Sequence, residues 1–363
     1  MFPGGFLGVD LFLVLSGFLI TTLLLERRDR ERRPIRTFYL RRALRLLPAL
    51  AALLLANLLY ALVEGRGVDD ALRSIVVAGA YVTNWAELAG VQISQYVTHL
   101  WSLAIEEQFY LVWPLLLFGA YRLWPSRRKL VWLALGIALA AAVWRAALYQ
   151  SGEGWLRIYL RTDARADSLA IGALLALVPW AEIGPRLGVH TRTAVGFVAL
   201  VALIAAAALI QPDARALYLG GFTVVALLSA VLILTVLEPD SALSRALASR
   251  PLVALGLISY PLYLWHFGVF QIVAEHTRTW PAGPRVALGW SLALGLAIAS
   301  YRLIELPALR LKGRLGRRAP GAQPQARSAT APVTPPVAVA AASGAGAHRD
   351  ESEPGATASP SRT

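Results

Sequence analysis

From Phe6 onward, apolar runs of roughly 14–24 residues recur down the chain, and about 20 residues carry a helix across the hydrocarbon core of a bilayer. Nothing else in the sequence restricts the fold as much. Hydrocarbon offers no water to satisfy backbone N–H and C=O groups, so repeated spans of this length fold as helices. The expected fold class is all-α, a polytopic transmembrane helix bundle. Composition agrees: hydrophobic residues make up 57% of the 363 residues, charged residues 16%, and the mean hydropathy is +0.56. The net charge of +13 gathers as arginine at helix ends, which reads as membrane topology and not as a nucleic-acid surface. A chain without cysteine has no disulfide framework, thiolate nucleophile or Cys-type metal site. No His-x-x-x-His pair or other ligand spacing points to a metal.

The first run, Phe6 to Leu25, begins beside Gly4 and Gly8, which have the small-xxx-small spacing of close helix contacts. Residues 26–45 then carry nine arginines, with no small-residue cleavage site, so a cleaved signal peptide is not expected. The positive-inside rule places this stretch in the cytoplasm. The first helix then runs inward, with Asp10 near its outer end, and the second, Ala43 to Val63, runs outward. Residues 71–85 are apolar but short. The basic loop at 122–129 stays inside only if that segment dips in and returns, or lies in the interface, and this arrangement is expected. Further helices near 130–149, 167–180, 193–210, 218–237, 251–274 and 284–304 give nine crossings plus one partial segment, with a cytoplasmic C-terminus. Their inner loops hold Arg186, Arg192, Arg245 and Arg250, then Arg310, Lys312, Arg314, Arg317 and Arg318. The transmembrane domain spans 1–312. From 313 to 363 the Pro/Ala/Gly/Ser-rich tail lacks periodicity and is expected to be disordered.

Polar residues inside such helices are costly and normally face a bundle interior or a water-filled cavity. The stretch His99 to Pro114 carries Glu106, Glu107 and Gln108 side by side. On a 3.6-residue period His99, Ser102, Glu106 and Tyr110 share one face, while Glu107 points about 100° away. Residues 161–172 open a short helix in which Asp163 and Asp167 share a face, as do Arg161 and Arg165. These charges suit either pairing with neighbouring helices or a charged helix start at the interface. Beside Tyr260 and Tyr263, His266 suits an interfacial aromatic belt with one hydrogen-bonded histidine, a reading weakened by its place more than halfway along the helix. Glu305 closes the last helix, where local ion pairing suffices to explain it. Arg41, Arg42 and Arg45 cap the inner end of the second helix. Such runs generally set topology or touch anionic lipid, yet Arg42 and Arg45 lie one turn apart and suit the phosphates of a bulky anionic donor. Under this topology Asp10, His99, Ser102, Glu106, Asp163 and Asp167 fall in the outer half and the three arginines at the inner face. That distribution fits a membrane enzyme with donor and acceptor on opposite sides, and equally an anion carrier.

Six segments, in order, resemble the acyltransferase-3 family of polytopic membrane O-acyltransferases. They are residues 5–21 around Asp10, 38–48 around Arg41-Arg42 and Arg45, 99–111 around Glu106-Glu107-Gln108, 163–169 from Asp163 to Leu169, 259–266 ending in His266, and 301–307 around Glu305. The resemblance covers residues 5 to about 310. It implies transfer of an acyl group, often acetyl, from cytoplasmic acyl-CoA to a hydroxyl of an envelope glycan, lipid-linked sugar or related acceptor. By resemblance Arg42 and Arg45 serve the CoA side, and Glu106 and Glu107 belong to the functional core. Family members normally begin with a further helix that carries an arginine and a histidine regarded as catalytic. The sequence starts at Met1-Phe-Pro-Gly-Gly, where that helix should end. A start assigned too late is expected, because one added helix makes ten crossings and agrees with a cytoplasmic C-terminus.

The function expected is therefore a cytoplasmic-membrane O-acyltransferase. The alternatives are a carrier or flippase for an anionic lipid or glycolipid, and an inactive truncated relative. The expected catalytic group is Glu106, Glu107, His99, Ser102 and Asp10. Arg41, Arg42 and Arg45 are expected at the donor, and Tyr110, Asp163, Arg165, Asp167, His266 and Glu305 in the polar core. Acyl-CoA is expected as co-substrate with no permanently bound cofactor; the partners are a glycan acceptor and membrane lipids, with no nucleic acid.

Overall fold

The computed structural model describes residues 3–28, 34–178, 188–238 and 241–310. The tail beyond 310 and the inner-loop cations Arg186, Lys312, Arg314, Arg317 and Arg318 lie outside the described residues. Among the described residues the protein is helical, without a strand. Among these described residues seven helical stretches are long and apolar enough to cross a membrane, and there are eight if a bent pair counts as one span. The one remaining expected crossing, 167–180, forms as Thr162–Leu177, whose 16 residues fall short of a full span.

The helices are α1 (Gly8–Arg28), α2 (Pro34–Glu64), α3 (Val68–Gly79), α4 (Thr83–Leu88), α5 (Trp101–Leu123), α6 (Arg127–Gln150), α7 (Trp155–Leu160) and α8 (Thr162–Leu177). Then come α9 (Val189–Leu209), α10 (Phe222–Leu237), α11 (Ala242–Leu247), α12 (Arg250–Leu257), α13 (Ser259–His276) and α14 (Ala282–Ser300). Helix α2 starts nine residues earlier than expected. Proline is well placed in the first turn of a helix, where its missing N–H has no partner to lose, so Pro34 opens the helix. The expected single helix over 251–274 is bent by 69° between α12 and α13. Pro261, just past the break, cannot donate to a carbonyl one turn back.

The segment around 71–85 does not cross. Helix α3 has 12 residues and α4 only six, and Tyr81 between them takes a left-handed backbone (φ 56°). The Tyr81 carbonyl accepts a hydrogen bond from Gln108 Nε2 at 2.8 Å, two turns into α5. Returning, Ser94 donates its N–H to Ser74 Oγ and its hydroxyl to Asn57 Oδ1. The chain thus leaves the end of α2, dips to the depth of Gln108 and comes back. Non-helical backbone is tolerated at such depth where protein or a cavity covers it.

With no crossing there, α1 and α5 end together. Arg28 lies 4.1 Å over the Tyr121 ring, and Arg127 at the start of α6 donates to the carbonyls of Leu177 and Ala176. The basic ends of α1, α5 and α6 therefore gather at one end of the bundle.

Close packing centres on α1 and α8, which run in the same direction. A Cβ at Gly17 would overlap the Leu169 carbonyl, and one at Gly172 would overlap the Val14 carbonyl. Small residues permit this approach where hydrophobic force does not act between helices. Of the two glycines expected to do this, Gly4 approaches the Ala206 carbonyl, whereas Gly8 faces open space.

Candidate active site

The longer α2 changes the site. Arg41, Arg42 and Arg45 sit two to three turns inside the helix instead of capping it. Arg42 consequently reaches α5, where its Nε lies 2.8 and 3.0 Å from the two Glu107 oxygens and its Nη2 also bonds Glu107. Glu106 Oε1 is 3.6 Å from Arg42 Nη2, and the guanidinium stacks 3.3 Å from the Tyr110 ring centroid. The expected separation of an inner arginine patch from outer carboxylates is therefore wrong: Arg42 and the two glutamates share one depth. Two of the five guanidinium N–H directions serve a planar carboxylate, which fixes the plane of the cation.

Glu106 is buried, and Ser16 Oγ donates to its Oε1 at 2.6 Å. The Tyr110 hydroxyl donates to the same oxygen. The stripe expected along α5 is thus real from Ser102 to Tyr110, and α1 supplies its counterpart in Ser16. Arg42, Glu107, Gln108 and Tyr110 line a cavity of about 260 Å³, with Tyr39, Ala80 and Tyr81 among its walls. Tyr39 and Ala43 also line a second, more open cavity of about 910 Å³, which includes Pro34, Arg36, Leu40 and Phe118. The dipping segment therefore supplies one wall of the site.

Gln108 itself is used up in structure. Its Nε2 donates to the Tyr81 carbonyl and Asn84 Oδ1, while its Oε1 accepts from Thr162 Oγ1 and Trp85 Nε1. It ties α4, α5 and α8 together.

Asp10 does not join Glu106. It lies against Arg165, with Nη2 2.7 Å from Oδ1, and accepts from Ser168 Oγ at 3.2 Å. Asp167 instead pairs with Arg145 at 2.8 Å and accepts from Thr223 Oγ1. Arg145 also donates to the Ala164 carbonyl and to Thr223. All four charged side chains are 0% exposed. Phe222 packs under both guanidiniums, at 4.1 Å for Arg165 and 5.5 Å for Arg145. Asp163 parts company with Asp167: it pairs locally with Arg161 and accepts from Trp144 Nε1 at the more exposed helix start. The two readings of that segment thus hold for different residues.

His99 lies in a 3-10 turn (Gln95–Leu100) before α5, and it is buried. It stacks on Phe267 with centroids 4.9 Å apart, and meets Tyr263 and His266 at 5.2 and 5.6 Å. Ser102 Oγ is 2.9 Å from the Tyr263 hydroxyl. These partners place Tyr263 and His266 inside the bundle and not in an aromatic belt. Glu305 is buried too, in a π-helical turn (Tyr301–Glu305), with one carboxylate oxygen lacking a partner. The charge acting on it is that of exposed Arg45.

Sequence reading missed Arg145, Thr223, Tyr81 and Asn84. Arg145 carried a signal, since it is a lone cation inside an apolar run, and such a residue marks a buried pair or a site. The others are ordinary polar residues whose partners are distant in sequence.

A sequence model described as an acyltransferase domain matches residues 2–302. The chain is 33% identical over 319 residues to the peptidoglycan O-acetyltransferase OatA of Listeria monocytogenes, covering 84% of this chain and 51% of that protein. It is 33% identical over 326 residues to a putative peptidoglycan O-acetyltransferase, YrhL, of Bacillus subtilis, covering 85% and 51%. A putative O-acetyltransferase of Staphylococcus aureus is 32% identical over 318 residues, covering 84% and 52%. The chain thus spans about half the length of these relatives. No solved structure matches it.

Proposed function

Because the chain belongs to the acyltransferase domain family, we propose that it is a multi-pass membrane O-acyltransferase. It moves an acyl group, acetyl in the first instance, from acyl-CoA to a hydroxyl of an envelope glycan such as peptidoglycan. The observation that carries this is the Arg42–Glu107 pair facing an internal cavity that adjoins a wider one. An oriented cation in a low-dielectric site stabilises negative charge that develops on a thioester oxygen as a hydroxyl attacks, and it does so without reorganising. Glu107 fixes the guanidinium; Glu106, held by Ser16 and Tyr110, adds a second anchored carboxylate one residue away.

Since Arg42 is already engaged, the donor's phosphates fall to cations closer to the bundle end. Exposed Arg36, which lines the wider cavity, and Arg41 precede Arg42 on α2 and qualify, while exposed Arg45 lies one turn beyond it. That end is the cytoplasmic one by the positive-inside rule, which also puts the C-terminus in the cytoplasm. The relatives named above support a glycan acceptor.

The test uses membranes carrying the full chain, labelled acetyl-CoA and a peptidoglycan-derived oligosaccharide. Label is expected on the sugar with the wild type and is expected to fall at least ~100-fold with Arg42→Gln, the scale seen when one stabilising donor is removed. Redistribution of unmodified glycolipid without label would return the carrier reading.

A further inference from the structure

Six side chains that can hydrogen-bond line the Arg42 cavity, and five of them are engaged within the protein. Tyr39 donates to the Leu111 carbonyl at 2.7 Å, Tyr110 to Glu106, and Gln108 to Asn84 and the Tyr81 carbonyl. Arg42 and Glu107 hold each other, through Nε and Nη2 of the guanidinium, which leaves Nη1 to the cavity side. The hydroxyl of half-buried Tyr81 is the exception: among the described residues it has no hydrogen-bond partner. A phenol carries one O–H, and here it remains open beside a fixed cation.

Tyr81 is also held firmly in place. Among the described residues it alone, glycine apart, has a left-handed backbone (φ 56°). A bulky side chain adopts that conformation only where its surroundings enforce it, and such residues collect at functional sites. The enforcing contact comes from the site itself, since Gln108, the neighbour of Glu107, donates Nε2 to the Tyr81 carbonyl at 2.8 Å. The Tyr81 ring packs, as Tyr260 does, on the core that α2 builds with Val97 and Leu100. Tyr260 gives its own hydroxyl to the Leu46 carbonyl at 3.0 Å. Glu107, Arg42 and Glu106 are the charges that act on the Tyr81 phenol. Tyr81 therefore stands at the depth of Arg42, on the wall of the same cavity.

We propose that Tyr81 is a second catalytic donor: its O–H, together with Arg42 Nη1, holds the oxygen of the donor thioester as that oxygen becomes an anion. This deepens the acyltransferase reading and rests on it. Two fixed donors from different elements hold an oxyanion at a defined point, which a single cation does not. Ala43, Leu46 and Ala80 complete the wall with apolar surface, so the field between the donors is weakly screened. The acceptor hydroxyl oxygen forms its bond to the acyl carbon while the carbonyl π pair moves onto the oxygen between the donors. On collapse that pair re-forms the carbonyl, and the C–S bond breaks with its electrons on sulfur. The proton of the acceptor hydroxyl ends on that thiolate. Tyr81 and Arg42 keep their own protons throughout. The products are the O-acyl sugar and free thiol.

The experiment uses the full chain in native membranes, with labelled acetyl-CoA and an oligosaccharide of N-acetylglucosamine and N-acetylmuramic acid. Tyr81→Phe keeps the ring and its packing and removes only the hydroxyl. It is expected to lower kcat about 100-fold, the scale of one lost oxyanion donor, with KM for acetyl-CoA nearly unchanged. A second variant carries, in place of Tyr81, a fluorinated tyrosine of the same shape and lower phenol pKa. Its activity is expected to fall as pH rises through that pKa, because a phenolate repels the oxyanion, while the wild type shows no such limb. Glu106, Glu107, Arg42 and Tyr260 surround the phenol in both proteins, so a difference between the profiles belongs to this one side chain. Tyr81→Phe at the wild-type kcat, a rise in KM with kcat kept, or matching pH profiles for the fluorinated and wild-type proteins overturns the role of Tyr81 alone. Absence of label transfer by the wild type overturns the acyltransferase reading, and the role of Tyr81 with it.

Discussion

Two sets of charges lie inside this bundle, and they are built differently. Around α8, Asp10–Arg165 and Asp167–Arg145 are wholly enclosed; Ser168 donates to Asp10, Thr223 to Asp167, and Arg145 to the Ala164 carbonyl. Between α2 and α5, Arg42 and Glu107 are as tightly paired, yet both line a cavity and retain 17% and 12% exposure. A charge in a membrane must be paired to be tolerated, so pairing alone does not mark chemistry. What separates the two sets is the space beside the pair. The enclosed set fixes how α1, α6, α8 and α10 meet; the open set presents an oriented cation to whatever enters.

The enclosed set gives the largest expected effect. Arg145→Met leaves Asp167 uncompensated among apolar neighbours, and breaking a buried pair on one side costs about 3–5 kcal/mol. We expect loss of the folded protein, or a collapse of its melting temperature in detergent. Arg145→Met with Asp167→Leu removes both charges and should recover most of that loss, because a buried pair replaced by apolar residues is often neutral. If the double variant melts as low as the single one, the pair is more than a mutual counter-charge. The comparison between the two sets then weakens.

The open set is expected to behave in the opposite way, with activity lost and the fold kept. Arg42→Lys retains the charge but not the planar fork that grips Glu107 and stacks on Tyr110. We expect acyl transfer to fall about 100-fold, equivalent to ~2.7 kcal/mol in the barrier, with the melting temperature nearly unchanged. A lysine variant at full activity would show that charge alone matters, and one that unfolds would place Arg42 with the structural set.

Much of this division was hidden in the sequence for an identifiable reason. The helices were legible because hydrophobic length is a local property, and the Ser102–Glu106–Tyr110 face because helical period is too. The re-entrant segment was legible through the basic loop at 122–129, whose charge fixes its side. Helix α2 was read from its apolar start at Ala43, when Pro34 and the arginine-rich turns were already helical, and that shift placed Arg42 at the wrong depth. Partner choice was not legible. Asp163 and Asp167 are one turn apart, yet one pairs with Arg161 near the surface and the other with Arg145 from α6. Which of two equivalent carboxylates is enclosed depends on the α6–α8 contact, and no local pattern encodes it.

Backbone approach supplies the third test, because the α1–α8 contact carries the enclosed set. Gly172→Ala places a methyl group onto the Val14 carbonyl, and backbone cannot move aside as a flexible side chain can. Overpacking of this kind costs about 1–3 kcal/mol. Thermal melting should register the loss, with Gly8→Ala as the comparison, since Gly8 faces open space. Equal melting of the two variants would mean that α1 and α8 are not held at this distance.

The smallest effect concerns Glu87 in the dipping segment, a carboxylate that belongs to neither set. One of its oxygens is buried without a partner, and burial pushes its pKa up from the usual 4.5 to about 7. The folded state therefore holds this proton more tightly than the unfolded chain does between those two values. Stability from the neutral form is complete below about pH 4.5 and declines as pH rises through 7. Glu87→Gln imitates the protonated group, so the variant and the wild type should melt together near pH 5. Above pH 7.5 the variant should melt higher by about one to two degrees, since the group is partly exposed and a small free-energy change moves Tm only slightly. A gap that stays constant from pH 5 to 8 would mean that Glu87 is charged throughout and has a cationic partner. It would then join the paired charges, and the dipping segment would be anchored as they are.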